Sequence, residues 1–328
     1  MTNMYSLKGL RSTLLMVSLW PVALAAVTAN ADPMLLRYKL ATITSSDLRQ
    51  LAADYDHWLD YKVRERGRVS RSLAAGWGTP RAADRRYILL SSDAAPDVYI
   101  RAVEAPAVEN YRPLTTYGWN AIEIIVDDPD ALRARLRGSP FTVIGEPAPL
   151  GSFPTIRAFQ VRGRAAEVLY LTAETGDRSK SLLPLPNGSV GRLFIMVVAS
   201  ADIEKQVDWY SQQFAMPRSA VRQRTVGVLQ RAQGLAADAT LPLTTLRLAN
   251  AGNLIEFDGY AAGTEPRSAA PGDLPPGIAM ASFGVRNLGD LQLDFIRPPG
   301  IYRGAAYGGH RSATVLGPAG ELVELIEE

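Results

Sequence analysis

The chain repeats one pattern of residues, and this repeat constrains its fold more than any other feature. Residues 42–48 read Thr-Ile-Thr-Ser-Ser-Asp-Leu, and residues 197–203 read Val-Val-Ala-Ser-Ala-Asp-Ile. Each stretch is typical of an apolar strand followed by a helix start, where Ser46 or Asp47, and Ser200 or Asp202, can cap the first helical turn. Both helical patterns then end in Trp and Tyr. The sequence therefore contains at least two copies of a strand–helix unit.

Two further copies start at residues 122–132 and 283–288. Each copy also closes with a short β-rich run, and these runs lie at residues 98–101, 167–171, 253–257 and 321–325. Two more extended stretches lie between the start and the end of each copy. The repeating unit is therefore a βαβββ module, that is, a strand, a helix and three further strands.

A module of about 50–75 residues is too small to bury the apolar face of its own sheet. Two modules placed side by side form an eight-stranded curved sheet around a cleft. We therefore predict an α+β fold with four βαβββ modules paired into two curved eight-stranded mixed sheets. The predicted divisions are a signal peptide (1–31), an N-terminal domain of two modules (32–174), a linker (175–189) and a C-terminal domain of two modules (190–328).

The first 31 residues are typical of a secretory signal peptide. Lys8 and Arg11 accompany an apolar run at residues 13–27, and the segment ends in Ala-Asn-Ala at residues 29–31. The run is too short for a comfortable membrane span. We expect cleavage after this motif and a periplasmic or secreted protein that does not remain in the membrane. If translation starts at Met34 instead, the protein is cytoplasmic.

Composition removes several kinds of chemistry. The sequence contains no Cys, so it has no disulfide, no thiolate metal ligand and no cysteine nucleophile. Its two histidines, His57 and His310, cannot build a site with three His ligands. A formal net charge of +2 gives no argument for nucleic-acid binding. We expect a small-molecule ligand as the partner, and the oligomeric state stays open.

The repeats resemble the vicinal-oxygen-chelate superfamily, which includes glyoxalase I, extradiol dioxygenases and bleomycin-resistance proteins. The resemblance covers nearly all of the chain after residue 31 and is most specific at residues 202–210 and 317–325. It implies a glyoxalase-like fold, commonly with one divalent metal between His on first strands and Glu on last strands. The superfamily contains lyases, isomerases, dioxygenases and pure binders, so the fold alone does not fix the activity.

The chain lacks most of the metal ligands that the resemblance implies. On the first strands they fall near Leu40, Asn120 or Ala121, Phe194 or Ile195, and Met280 or Ala281, and on the last strands at Ile100, Tyr170, Glu256 and Glu324. No His stands at any of them, which disfavours the two-His-one-carboxylate iron site of a dioxygenase. We therefore predict no resident cofactor. The alternative is a divalent metal held weakly by Glu256 and Glu324.

The resemblance also implies that Glu256 and Glu324 face each other across the C-terminal cleft. Two carboxylates in one partly apolar cleft resist joint ionisation, so the pair could work as an acid and a base near neutral pH. The alternative is that each Glu pairs with an Arg or faces solvent. His310 follows Tyr307-Gly308-Gly309 in a loop and is the third catalytic candidate.

Glu123 interrupts an apolar strand and is a candidate for substrate binding. Alternation along the strand places it on the same face as Trp119 and Ala121. The alternative is a structural ion pair with one of three arginines, namely Arg101, Arg157 or Arg162. The other candidates for substrate binding, which could equally pack in the core, are Tyr170, Trp119, Tyr307, Met280 and Trp77.

The sequence leaves two functions open. The first is an exported glyoxalase-like protein that acts on a small, largely apolar oxygenated or aromatic compound by proton-transfer lyase or isomerase chemistry, without the usual His-based metal site. The second is a non-catalytic protein of the bleomycin-resistance type that binds and sequesters a small molecule. Glu256 and Glu324 favour the enzyme, whereas the missing His ligands favour the binder.

Overall fold

The strands follow the order that the four repeats predict. The computed structural model describes residues 1, 32–151, 153–261 and 263–328, so the predicted signal-peptide segment lies outside the described residues except for Met1. Module 1 consists of β1 (Leu35–Ser45), α1 (Leu48–Leu59), β2 (Tyr61–Arg68), α2 (Arg71–Gly76), β3 (Arg86–Ser92) and β4 (Tyr99–Glu104). Module 2 consists of β5 (Thr116–Val126), α3 (Pro129–Arg135), β6 (Thr142–Leu150), β7 (Phe153–Arg162) and β8 (Val168–Glu174).

The second half of the chain repeats this order. Module 3 consists of β9 (Val190–Ser200), α4 (Ile203–Gln213), β10 (Arg222–Arg224), α5 (Gly227–Gln233), β11 (Leu241–Arg247) and β12 (Leu254–Gly259). A two-residue strand, β13 (Glu265–Pro266), leads to module 4, which consists of β14 (Ile278–Val285), β15 (Gly300–Ile301), β16 (Arg311–Leu316) and β17 (Leu322–Glu327).

The helices start where the capping residues predict. The side chain of Asp47 accepts a hydrogen bond from the backbone N–H of Gln50, and Asp128 and Asp202 cap α3 and α4 in the same way. Module 4 differs, because only a single 3-10 turn at Leu288–Asp290 follows β14. Gly289 lies in this turn, and glycine lowers helix propensity.

The strands form two mixed sheets, so the predicted α+β fold class is confirmed. The first sheet has the order β15-β16-β17-β14-β1-β4-β3-β2. The second has the order β10-β11-β12-β9-β5-β8-β7-β6, with β13 added beside β5. Within each module the first and last strands run parallel, whereas the junctions β1–β14 and β5–β9 between modules are antiparallel.

The modules are not paired as the sequence suggested. Module 1 shares the first sheet with module 4, and module 2 shares the second sheet with module 3. The prediction that each sheet is built from two consecutive modules is therefore wrong. All four modules present the same kind of first strand at the junction, so the repeat itself does not say which strands meet. The predicted linker at 175–189 separates two modules that share a sheet.

Consecutive modules contact each other through their helices instead. The Tyr55 hydroxyl of α1 donates to the Glu167 carboxylate of module 2 over 2.9 Å. In the same way, the Tyr210 hydroxyl of α4 donates to Glu321 of module 4 over 3.0 Å. Burial raises the pKa of both carboxyls to about 7. The two halves of the chain thus repeat the same hydrogen bond between a tyrosine of a helix and a buried glutamate of a turn.

Each sheet has one face that a short inserted helix covers. The largest core cluster joins residues of both sheets and of α1, α3 and α4. On the opposite face of the first sheet, Leu73 and Ala74 of α2 pack in a second cluster. On the opposite face of the second sheet, Val228 and Leu229 of α5 pack in a third. We call these the α2 face and the α5 face. Among the described residues, no helix is long and apolar enough to cross a membrane.

Candidate functional site

The four modules place one pair of residues at equivalent positions. On each first strand, this residue lies five positions before the helix-capping residue and is paired in parallel register with the last strand. The pairs are Thr42 with Arg101, Glu123 with Tyr170, Val197 with Glu256, and Ser282 with Glu324. The last-strand position of module 1 is therefore Arg101 and not Ile100, which the resemblance had implied.

In the first sheet, the last-strand residue of the pair is positively charged in module 1 (Arg101) and negatively charged in module 4 (Glu324). The Arg101 guanidinium donates to the Glu324 carboxylate over 3.0 Å, and both side chains are at most 2% exposed. Arg101 also donates to the Thr42 hydroxyl over 3.0 Å and lies 4.3 Å from the centre of the Trp77 ring. The central residues of the α2 face are thus joined by an ion pair.

Every oxygen of the Glu324 carboxylate has two donors. One oxygen accepts from the Trp77 indole over 2.7 Å and from the Tyr307 hydroxyl over 2.8 Å. The other accepts from Arg101 and from the Ser282 hydroxyl, which lies at 2.6 Å. The neighbouring cavity measures only about 10 Å³. A water molecule needs at least about this much room, so the cavity leaves no space for a larger ligand. The α2 face is therefore filled by its own side chains.

This arrangement corrects the sequence interpretation of Glu324. Burial alone would raise the pKa of Glu324, but Arg101 and the surrounding donors hold it below its ordinary value. A carboxylate that stays ionised in a saturated network does not act as an acid near neutral pH. Trp77, Tyr307 and Met280, predicted as substrate-binding residues, pack around this ion pair.

The second sheet brings a different set of side chains together on its α5 face. Three acids and two tyrosines form what we call the carboxylate–tyrosine cluster, which consists of Glu123, Glu256, Asp258, Tyr170 and Tyr260. Glu123 alternates with the α5-face residue Ala121 along β5. Glu256 and Asp258 flank the core residue Phe257 on β12, so both point away from the main core.

Several buried polar atoms of this cluster have no partner. Asp258 is only 2% exposed, yet neither of its carboxylate oxygens accepts a hydrogen bond from any described residue. The hydroxyls of Tyr170 and Tyr260 are also unpartnered within the described part of the chain, although both residues are more than nine-tenths buried. Unpaired buried groups are costly, so these atoms call for a partner such as ordered water, an ion or a ligand.

The same burial shifts the acids toward neutral pH. Burial raises the pKa of Asp258 and of Glu123 to about 7, and the Thr172 hydroxyl, which donates to Glu123 over 2.5 Å, offsets only part of the rise. Burial and the neighbouring carboxylates raise the pKa of Glu256 well above its ordinary value. This cluster can therefore hold both ionised and protonated carboxyl groups near neutral pH.

Two expectations about β5 are wrong. Glu123 is bonded to Thr172 rather than to an arginine. Arg101 pairs with Glu324, Arg157 pairs with Asp130, and Arg162 is exposed. Trp119 does not share the face of Glu123. The strand register shifts between Trp119 and Ala121, which turns Trp119 into the main core, where its indole donates to the carbonyl of Leu322 over 2.8 Å.

Glu256 and Glu324 lie on different sheets, so the predicted acid–base pair across one C-terminal cleft is wrong. Glu256 belongs to the carboxylate–tyrosine cluster, whereas Glu324 belongs to the ion pair of the α2 face. His310 is exposed in the loop before β16, in module 4. Its backbone N–H donates to the carbonyl of Tyr307 over 2.9 Å, and no hydrogen bond joins its imidazole to either cluster among the described residues.

Asp258 and Tyr260 were not identified from the sequence. The signal was present, because Glu256 and Asp258 alternate along β12, and Tyr260, directly after the strand, continues the alternation. The resemblance implies a site position on this strand at Glu256 alone, so it does not point to the neighbours of Glu256 on the same face.

The residues present do not fit the metal of the fold family. Within the described residues, no group of three or more His, Asp or Glu side chains converges closely enough to hold a metal ion. At the equivalent positions of the first sheet, the Arg101 guanidinium supplies the positive charge. In the second sheet, Val197 and Tyr170 occupy two of the four positions at which His or Glu ligands would be expected. The alternative of one metal shared by Glu256 and Glu324 is also excluded, because the two lie on different sheets.

Two clefts lie beside α5, and no residue of the carboxylate–tyrosine cluster lines either of them. A cleft of about 650 Å³ is lined by Tyr111, by Gln233 of α5 and by Ala261, the residue that follows Tyr260. A second cleft of about 340 Å³ is lined partly by Leu114, Ile144 and Val228, which pack in the same cluster as Tyr170.

Comparison with known proteins places the fold. No family model and no curated protein matches the sequence. Among solved structures, glyoxalase I from Zea mays matches with a TM-score of 0.59 and 16% identity over 89% of this chain and 92% of that chain. A proposed dioxygenase from Bacillus subtilis matches with a TM-score of 0.56 and 11% identity over 90% of this chain and 86% of that chain. At these identities the likeness shows the fold alone, and it is the vicinal-oxygen-chelate fold that the repeats had indicated.

Proposed function

Given its vicinal-oxygen-chelate fold, we propose that this protein acts on a small organic molecule by proton transfer in the carboxylate–tyrosine cluster. The observation that carries the proposal is Asp258, a buried carboxylate without a partner among the described residues, beside two equally unpartnered tyrosine hydroxyls. We further propose that the substrate is a small oxygenated or aromatic compound and that the reaction is that of a lyase or an isomerase.

The proposed chemistry needs no other reactant. An ionised carboxylate of the cluster removes a proton from a carbon next to a carbonyl group, and the C–H electron pair moves toward the carbonyl carbon. A protonated carboxyl or a tyrosine hydroxyl gives a proton to the carbonyl oxygen, so an enol forms. With a β,γ-unsaturated substrate, the first proton returns to the γ carbon and the enol O–H proton goes back to the group that gave it, which completes an isomerisation. With a β-substituted substrate, the enol O–H proton goes back in the same way, the carbonyl re-forms, and the β-substituent leaves with the proton held by the first carboxyl, which completes an elimination.

The electrostatics of the cluster support both roles. Carboxyl groups with a pKa of about 7, such as Asp258 and Glu123, are partly ionised and partly protonated at neutral pH. A general acid or base works best when its pKa lies near the working pH. Glu256 is half-buried and is the most open acid of the three, so we assign it the contact with the reacting carbon.

We expect the protein to catalyse exchange of carbon-bound hydrogen. Incubation in D₂O with aliphatic and aromatic carbonyl compounds should give deuterium incorporation that proton NMR detects as loss of signal. Replacing Glu256→Gln should slow the exchange by about 10²-fold or more, because a general base contributes about that much. The matched control is Glu146→Gln, since Glu146 is an exposed acid paired with Arg133, and it should leave the rate unchanged.

The second candidate function is binding without catalysis, which the lack of a fitting metal site favours. The exchange experiment separates the two. A compound that binds to the wild-type protein and loses affinity in Glu256→Gln, but whose hydrogens never exchange, would show a binder.

We also propose that the protein is exported, with residues 1–31 removed. The intact mass of the protein recovered from outside the cytoplasm tests this proposal, because cleavage after Ala31 leaves Asp32 as the first residue. A chain that retains Met1 there, or that begins at Met34 in the cytoplasm, would contradict it.

A further inference from the structure

The two sheets offer an internal comparison of the same four positions. In the first sheet, modules 1 and 4 supply Thr42, Arg101, Ser282 and Glu324. In the second sheet, modules 2 and 3 supply Glu123, Tyr170, Val197 and Glu256. The position of Arg101 in module 1 corresponds to that of Tyr170 in module 2. One face therefore carries its own guanidinium, whereas at the four positions of the other face the charged residues are acids.

The guanidinium of the first sheet satisfies acceptors of its own face. Arg101 reaches the Glu324 carboxylate, the Tyr307 hydroxyl at 2.7 Å and the Thr42 hydroxyl. An arginine suits this task because its planar group presents five donors and a delocalised charge. The Trp77 ring beneath it adds a flat apolar surface.

The acceptors of the second sheet lack such donors. Both oxygens of Asp258 and the hydroxyls of Tyr170 and Tyr260 are unpartnered within the described residues. The charged groups that influence Asp258, Glu256 and Glu123 are the three acids themselves, and no lysine or arginine of the described chain offsets their burial. Arg267 lies near Tyr260, but its guanidinium is bonded to backbone carbonyls and to side chains of β5.

We propose that the carboxylate–tyrosine cluster binds an organic cation, such as an amidinium, guanidinium or primary ammonium group, carried by the small molecule on which the protein acts. The ligand would supply to the second sheet the positive charge and the N–H donors that Arg101 supplies to the first. A group with several N–H donors and one positive charge satisfies Asp258 and both tyrosine hydroxyls together. The inference rests on the proposed function, since it takes the cluster to be the ligand site.

Benzamidine is the probe for this proposal, because it joins a planar amidinium to a flat apolar ring. Benzoate has nearly the same shape and the opposite charge, so it serves as the matched control ligand. Calorimetric titration of the protein at pH 8 should show benzamidine binding and no benzoate binding. Asp258→Asn should weaken benzamidine binding about tenfold or more, as expected for loss of a charge-assisted hydrogen bond. Glu146→Gln should leave it unchanged, because Glu146 is exposed and outside the cluster.

A second variant tests the internal comparison itself. Tyr170→Arg places a guanidinium at the position that corresponds to Arg101, where it can reach the acids of the cluster. We expect this variant to unfold at a higher temperature than the wild type and to lose benzamidine binding altogether.

Three results would overturn the cation proposal. If benzoate binds, and Asp258→Asn alters its affinity, the cluster remains the ligand site and the proposed function survives, but the ligand class is wrong. If neither probe binds, the cation proposal is again wrong, and the hydrogen-exchange experiment judges the proposed function separately. If benzamidine binds equally well to Asp258→Asn and Tyr170→Arg, its site lies elsewhere.

Discussion

Replacing Arg101 with methionine is expected to lower the free energy of unfolding by about 3–5 kcal/mol. The reason is that Glu324, which is fully buried, loses the cation that offsets its burial, and only neutral donors remain to it among the described residues. Methionine is close to arginine in length, so little of the effect comes from an altered volume. Urea denaturation at neutral pH measures the change directly.

Arg86→Met is the control for this prediction. Arg86 forms an ion pair with Glu104, but the Arg86 side chain is 63% exposed, so its loss should cost far less stability than the loss of Arg101. Combining Arg101→Met with Glu324→Gln should recover part of the stability, because the second change removes the unpaired charge. Equal costs for Arg101→Met and Arg86→Met would contradict the closed ion pair that we describe for the α2 face.

The opposite effect is expected on the α5 face, where Asp258→Asn should stabilise the protein by roughly 4 kcal/mol at pH 8. Burial raises the pKa of Asp258 from 3.8 to about 7 on folding. The stability that the protonated carboxyl contributes is fully present below pH 3.8 and is lost as the pH rises through about 7. Asparagine does not titrate, so the variant should gain over the wild type across this interval. Denaturant unfolding between pH 4 and pH 8 shows the gain.

Asp130→Asn provides the matched control for Asp258→Asn. Asp130 is exposed, and its hydrogen bonds from Arg157 lower its pKa, so this variant should lose a little stability and gain none with rising pH. A protein that keeps a costly buried carboxylate trades stability for function, as active sites commonly do. If Asp258→Asn instead destabilises the protein at pH 8, Asp258 has a native partner and our description of the cluster is wrong.

The sequence predicted the modules well because their signals are local. A capping residue such as Asp47 or Asp202 acts within one helical turn, and the alternation of apolar residues acts within one strand. The pairing of modules is different in kind. It depends on which first strands meet in three dimensions, and β1, β5, β9 and β14 are too similar for the repeat to distinguish them.

The site was predicted in part, and each error has a local cause. Glu256, Tyr170 and Glu123 do come together, although only Glu256 had been assigned a catalytic role. The resemblance places the last-strand position of module 1 at Ile100, one residue before Arg101. The sequence therefore did not identify Arg101 as the partner of Glu324.

Trp119 was misplaced by a different cause. The irregular register of β5 turned it to the other face, and simple alternation does not reveal such a bulge.

A crystal structure of the protein as purified, at a resolution that places ordered water, tests the central claim most directly. The claim is that two equivalent faces have diverged, one closed by its own ion pair and one left to receive a ligand. We expect non-protein density within hydrogen-bond distance of Asp258 and Tyr170, and none between Arg101 and Glu324. A lysine or arginine side chain bonded to Asp258, or solvent separating Arg101 from Glu324, would contradict the account.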